Sequence, residues 1–148
     1  MANALTTIEG RRLGQTNKLN LCSNGIDITQ PCVDCSITVA AENTNVRAIT
    51  IQLKDARGND INYAETVEII MFGAADMLSF ASTGGSTGIA IGTDGALLAV
   101  VAKKYFLATS EADGDIDLTW TDTGTESVAL GVRLPNGRVV VTSAFANT

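Results

Sequence analysis

Three groups of residues have types and spacings that can carry chemistry. Gly84-Gly85-Ser86-Thr87-Gly88 fits the Gly-x-Ser-x-Gly turn that holds a nucleophilic serine between a strand and a helix. Such a serine needs a base to take its proton, and the chain contains no histidine. A short strand pattern follows instead of a helix, so the segment reads as a flexible Gly/Ser loop. Cys32-Val33-Asp34-Cys35 is half of a zinc knuckle, with Cys22 upstream and Asp27 or Asp34 as possible oxygen ligands. With three cysteines and no second pair, free thiols or one local disulfide are the plainer expectation. The third group is EADGDID, where Glu111, Asp113, Asp115 and Asp117 alternate. If the strand begins early, their carboxylates converge on one face and offer a hard cation such as Ca²⁺ its oxygen ligands. Asp113, Asp115 and Asp117 are the candidates, against the plainer reading of a solvated turn whose charges discourage strand edges from pairing.

Glu111, Asp113 or Asp115 are also the residues a hydrolase would use. Glycosidase carboxylates meet in space and not in sequence, so spacing alone does not test them. Sugar sites sit among aromatic platforms, and this chain has one Trp and two Tyr. The expectation is a protein that is not an enzyme and needs no cofactor.

The elements that must position these residues read as strands. From residue 36 onward, short apolar alternations are punctuated by turn residues every 8 to 12 positions or so, the rhythm of a sandwich. The segments are 36–42, 45–55, 65–73, 89–92, 96–102, 104–110, 116–122, 127–135 and 138–145. They predict an all-β, antiparallel sandwich, jelly-roll or immunoglobulin-like, of about eight strands. Ile49, Ile51 and Leu53 share one face of the second segment while Thr50, Gln52 and Lys54 share the other; Ile116, Leu118 and Trp120, and then Val128, Leu130, Val132 and Leu134, point inward likewise. Asn136-Gly137 predicts a type I′ hairpin, because that turn needs φ > 0 at both central residues. Residues 74–88 read as a small, Gly-rich loop in which only AADMLSFA could form a single turn or short helix.

Residues 1–35 show neither period and read as an extended N-terminal arm, leaving 36–148 as the sandwich. At 148 residues the chain has room for one core. Its aromatics make up 5%, so Val, Ile, Leu and Ala must fill that core, and the β-branched pair favours strands. A net charge of −6 with no basic cluster argues against a nucleic-acid partner. No apolar run approaches a membrane span and the first residues lack a secretory pattern, so synthesis in the cytosol and no membrane partner are expected.

The runs ITIQLKDARGNDI (49–61), AIGTDGALLAVVAKKYFLATSEADGDIDLTWTD (90–122) and VALGVRLPNGRVVVTSAF (128–145) resemble a module of tailed-bacteriophage virion structural proteins. QLKDARGND, IGTDG, SEADGDID and LPNGRVV carry most of the likeness, and each is a turn with its flanking strands. The resemblance implies a β-sandwich on phage heads or tails: a capsid decoration or cement protein, a head-fibre base or a tail component. It implies the major capsid protein or other virion proteins as partners, and a dimer or trimer follows from the usual closed symmetry of such assemblies. The 1–35 arm would anchor the chain, and the alternative is a receptor- or carbohydrate-binding role through the 74–88 loop.

Overall fold

The computed structural model describes residues 31–148. Residues 1–30, with Cys22, Asp27 and most of the expected arm, lie outside the described residues. Among the described residues nine antiparallel strands form, one for each segment marked in the sequence, against a count of about eight. They are β1 (Asp34–Val39), β2 (Val46–Lys54), β3 (Thr66–Phe72), β4 (Gly88–Ile91), β5 (Ala96–Val101), β6 (Tyr105–Thr109), β7 (Asp115–Thr121), β8 (Ala129–Arg133) and β9 (Val139–Val141).

Two sheets pack face to face, one ordered β1-β2-β7-β4 and the other β5-β6-β3-β8-β9. That spatial order is the variable-type immunoglobulin arrangement. The path between β3 and β7 differs, because the chain crosses to β4 first and returns through β5 to β6, reversing the usual visiting order.

Alternation set the core as anticipated. Ile49 lies opposite Leu118 and Ile51 opposite Ile116, and all four are buried with Leu53 and Trp120 on the inner face of the four-stranded sheet. Val67, Ile69, Met71, Phe106, Leu130 and Val132 answer from the five-stranded sheet. Sandwich cores interdigitate in this way, with one residue in two from each strand facing in.

Two local expectations are corrected. The type I′ turn forms at Thr44-Asn45, whose φ values are 52° and 65°, between Asn43 and Val46, which exchange both backbone bonds. At the last hairpin only Gly137 has positive φ, 86°. There the Leu134 and Gly137 backbone closes a turn with Pro135 second, and the Leu134 amide donates to the Arg138 carbonyl, a three-residue loop. Pro135 has no amide hydrogen to give Arg138, so the two-bond closure of a type I′ turn at Asn136-Gly137 is lost, and its fixed negative φ suits the second position of a type I turn instead. The sandwich starts before residue 36: β1 begins at Asp34, and both Cys32 and Cys35 are buried in the core. AADMLSFA makes a single turn within the loop, with the Met77 amide donating to the Ala74 carbonyl, and Phe80 bridges back to Phe72.

Candidate interaction face

The outer faces of the two sheets differ in kind. On the four-stranded sheet the outward positions Ser36, Thr38, Thr50, Gln52, Asp115, Asp117 and Thr119 make the face largely polar, with Val46, Ala48 and Ala90 the apolar residues among them. On the five-stranded sheet the register places Leu98, Leu107, Glu68, Arg133 and Val139 in one outward row and Val101, Tyr105, Ile70, Gly131 and Val141 in the next. Phe72 lies across Gly131, where a Cβ would come within 2.5 Å of its ring. The two charges in these rows neutralise each other, with Arg133 donating to Glu68 at 3.0 Å. Leu98 is 63% exposed, and Val100, Val101, Leu78 and Phe80 are exposed as well. An antiparallel sheet with water on one side should alternate apolar-in and polar-out. This one departs from that rule, since only the row of Thr66 and Thr109 and the Glu68–Arg133 pair are polar, and exposed apolar side chains gathered on one face mark an interaction surface.

A built loop closes one end of the sandwich. The Glu126 carboxylate accepts hydrogen bonds from the Thr83, Gly84 and Gly85 amides and from the Thr83 hydroxyl. Asp122 accepts from the Ser86, Gly124 and Glu126 amides. The Trp120 indole donates to the Gly84 carbonyl at 3.0 Å, and Lys103 donates to the Gly85 and Ser86 carbonyls. Gly85 has φ +99° and a Cβ there would lie 2.7 Å from both the Thr121 carbonyl oxygen and Trp120 Nε1. The Gly-x-Ser-x-Gly segment is thus pinned and not the flexible loop expected. Ser86 Oγ is occupied by the Thr123 amide.

Burial alone would raise the Glu126 pKa, but the bonds from Thr83, Gly85 and Gly84 outweigh it and hold the group below its ordinary 4.5. A lowered carboxylate pKa gives stability that is present above 4.5 and is lost as the pH falls through the folded-state value. Glu126→Ala leaves several half-buried amides unpaired, so a loss of about 2–3 kcal/mol is expected at pH 7. Urea titrations at pH 7 and pH 3 check this: the deficit should shrink at the acid end.

The acidic candidates separate. Asp115 and Asp117 share the outer face of β7, and Asp94, from the turn before β5, joins them, with carboxylate oxygens of all three within 4.8 Å of one another. Asp113 does not join; its carboxylate accepts the Asp115 amide inside the turn, and Glu111 accepts the Gly95 amide. The set has the chemistry of a hard-cation site but offers three carboxylates, where Ca²⁺ takes about six to eight oxygens. Asp94 escaped the sequence reading because β4 pairs with β7 across a long separation; an Asp-Gly turn beside a strand edge was the available signal. Asp115 Oδ1 is buried without a hydrogen bond. Burial, then the neighbouring Asp117, Asp113 and Asp94 charges, push its pKa above 3.8, against one bond from the Ile116 amide. The raised value means that ionising Asp115 costs stability as the pH climbs past 3.8. Asp115→Asn is therefore expected to stabilise by about 0.5–1 kcal/mol at pH 7 and by nothing at pH 3, read from thermal melts.

Cys32 and Cys35 are free and buried. Burial pushes their thiols up to about 11 and about 12. Both therefore stay protonated, and poorly nucleophilic, near neutrality.

Set beside known protein families, curated sequences and solved structures, the chain matches none of them.

Proposed function

We propose that this protein is a non-enzymatic bacteriophage virion structural protein, a capsid decoration or cement protein that docks on the major capsid shell and stabilises it. The observation that carries the reading is the apolar outer face of the five-stranded sheet, set against a polar one on the other sheet. A chain of net charge −6 resists self-association through most of its surface. It keeps one face on which burial is favourable at roughly 25 cal/mol per Å². Sequence resemblance to phage virion modules supplies the kind of assembly; the face supplies a way to join it.

Adding the purified chain to particles that lack it tests this. Retention after sedimentation, saturating at a ratio set by particle symmetry, is the expected result; a chain left wholly in the supernatant would sink the proposal. A tail or head-fibre role with receptor or carbohydrate binding is favoured by one feature, the exposed Leu78 and Phe80 on the loop after β3. A glycan array separates the two, since a cement protein should bind no sugar.

A further inference from the structure

We infer that two copies of this chain pair through β5, edge to edge and antiparallel about a two-fold axis at Leu98. Four strands are sheet edges among the described residues: β1, β4, β5 and β9. Proteins blunt such edges with short strands, charges, prolines or β-bulges. β9 has three residues, β4 has four and is bracketed by Gly88 and Gly92, and β1 carries Asp34 in an ion pair with Arg138 at 3.0 Å. β5 is the exception over Ala96-Leu97-Leu98-Ala99, which has no charge, proline or bulge, since the shift in its pairing comes only between Ala99 and Val101.

The register says which backbone groups are available. Ser110 donates to the Glu65 carbonyl and Met71 to the Lys104 carbonyl, so alternate residues of β6 from Lys104 to Ser110 bond to β3. The residues between them, Leu107 and Thr109, therefore bond to β5, opposite Leu98 and Ala96. That leaves the amides and carbonyls of Leu97 and Ala99 directed outward. Under a two-fold at Leu98, Leu97 of each copy meets Ala99 of the other and exchanges two bonds, four in all. Leu98 then lies opposite Leu98 of the second copy in the close, non-hydrogen-bonded kind of pair. The shift in β5 pairing falls between Ala99 and Val101, outside these four bonds.

Charge selects the antiparallel arrangement. β5 starts beside Asp94 and Glu111, the latter accepting the Gly95 amide, and ends at Lys103-Lys104. The two-fold sets the acidic end of each strand against the basic end of the other, twice. The joined edges turn two five-stranded sheets into one of ten strands with a continuous apolar outer face. This pairing stands independently of the virion reading.

Sedimentation equilibrium of the full chain should give a dimer of the weak class, with a dissociation constant on the order of micromolar. Leu98→Lys places like charges directly opposite and should weaken it at least tenfold. Ala99→Pro removes an outward-facing amide without touching the β6 ladder, and should act in the same direction. In a Cys22→Ser background, Leu98→Cys should form a disulfide dimer on mild oxidation, because opposed residues in such a pair have Cα atoms about 4.5 Å apart. A chain that is monomeric at about 100 µM, well above that constant, would overturn the inference. So would a trimer, or a dimer that ignores both Leu98→Lys and Ala99→Pro and is not cross-linked by Leu98→Cys.

Discussion

Trp120→Ala is expected to cost the sandwich about 3–5 kcal/mol, enough to unfold much of the population of a marginally stable domain. Three losses coincide at this residue. The side chain is fully buried, so its removal leaves a large cavity between the sheets. Its ring meets Phe145 edge to face at a centroid distance of 5.2 Å, an arrangement that fastens the C-terminal segment onto the core. Its indole N–H is the donor to the Gly84 carbonyl, so the Gly-rich loop loses a buried bond as well. Trp120→Phe separates the terms: it keeps most of the apolar volume and should cost about 1–3 kcal/mol, the share of an unsatisfied carbonyl and a smaller cavity. Urea midpoints for the two variants check the order; a Trp120→Phe loss equal to that of Trp120→Ala would mean that the bond to Gly84 dominates the packing.

Ile70→Thr combined with Leu107→Lys should abolish retention on particles, by tenfold or more in affinity, while shifting stability by less than about 1 kcal/mol. Both side chains face outward on β3 and β6 and are half-buried, so neither fills the core. Threonine keeps the β-branched preference for a strand. The new lysine at 107 lies opposite Glu68, where an acidic neighbour accommodates it. Circular dichroism establishes that the fold is retained, and sedimentation with particles reads the binding. Undiminished retention of a folded double variant would place the docking surface elsewhere.

The sandwich was largely legible, and for a physical reason: Ile49, Ile51, Leu53 and Ile116, Leu118, Trp120 are apolar at alternate positions because each strand has one wet face. The same rule hid the interaction face. In β3 the outward positions Ile70 and Phe72 are apolar like their inward neighbours, and β5 is apolar throughout. Such runs fit strands covered on both faces, which alternation alone does not reveal. Turn chemistry was legible in kind but misplaced. Asn136-Gly137 has the favoured composition for a two-residue hairpin, but Pro135 fixes the turn type, while Thr44-Asn45 adopts left-handed backbone without glycine. The acidic site was half visible: Asp115 and Asp117 follow from alternation along one strand, whereas Asp94 arrives only through the pairing of β4 with β7. The clasp of Glu126 on Thr83, Gly84 and Gly85 was not visible, because nothing local links residues some forty positions apart.

Imaging of purified particles that carry this chain tests the central claim most directly. The account predicts symmetry-ordered copies on the capsid, each with the outer face of β3, β6 and β8 turned against its neighbour and the polar face of β2 and β7 turned to solvent. Particles without ordered copies, or copies that present the apolar face to solvent, would contradict it.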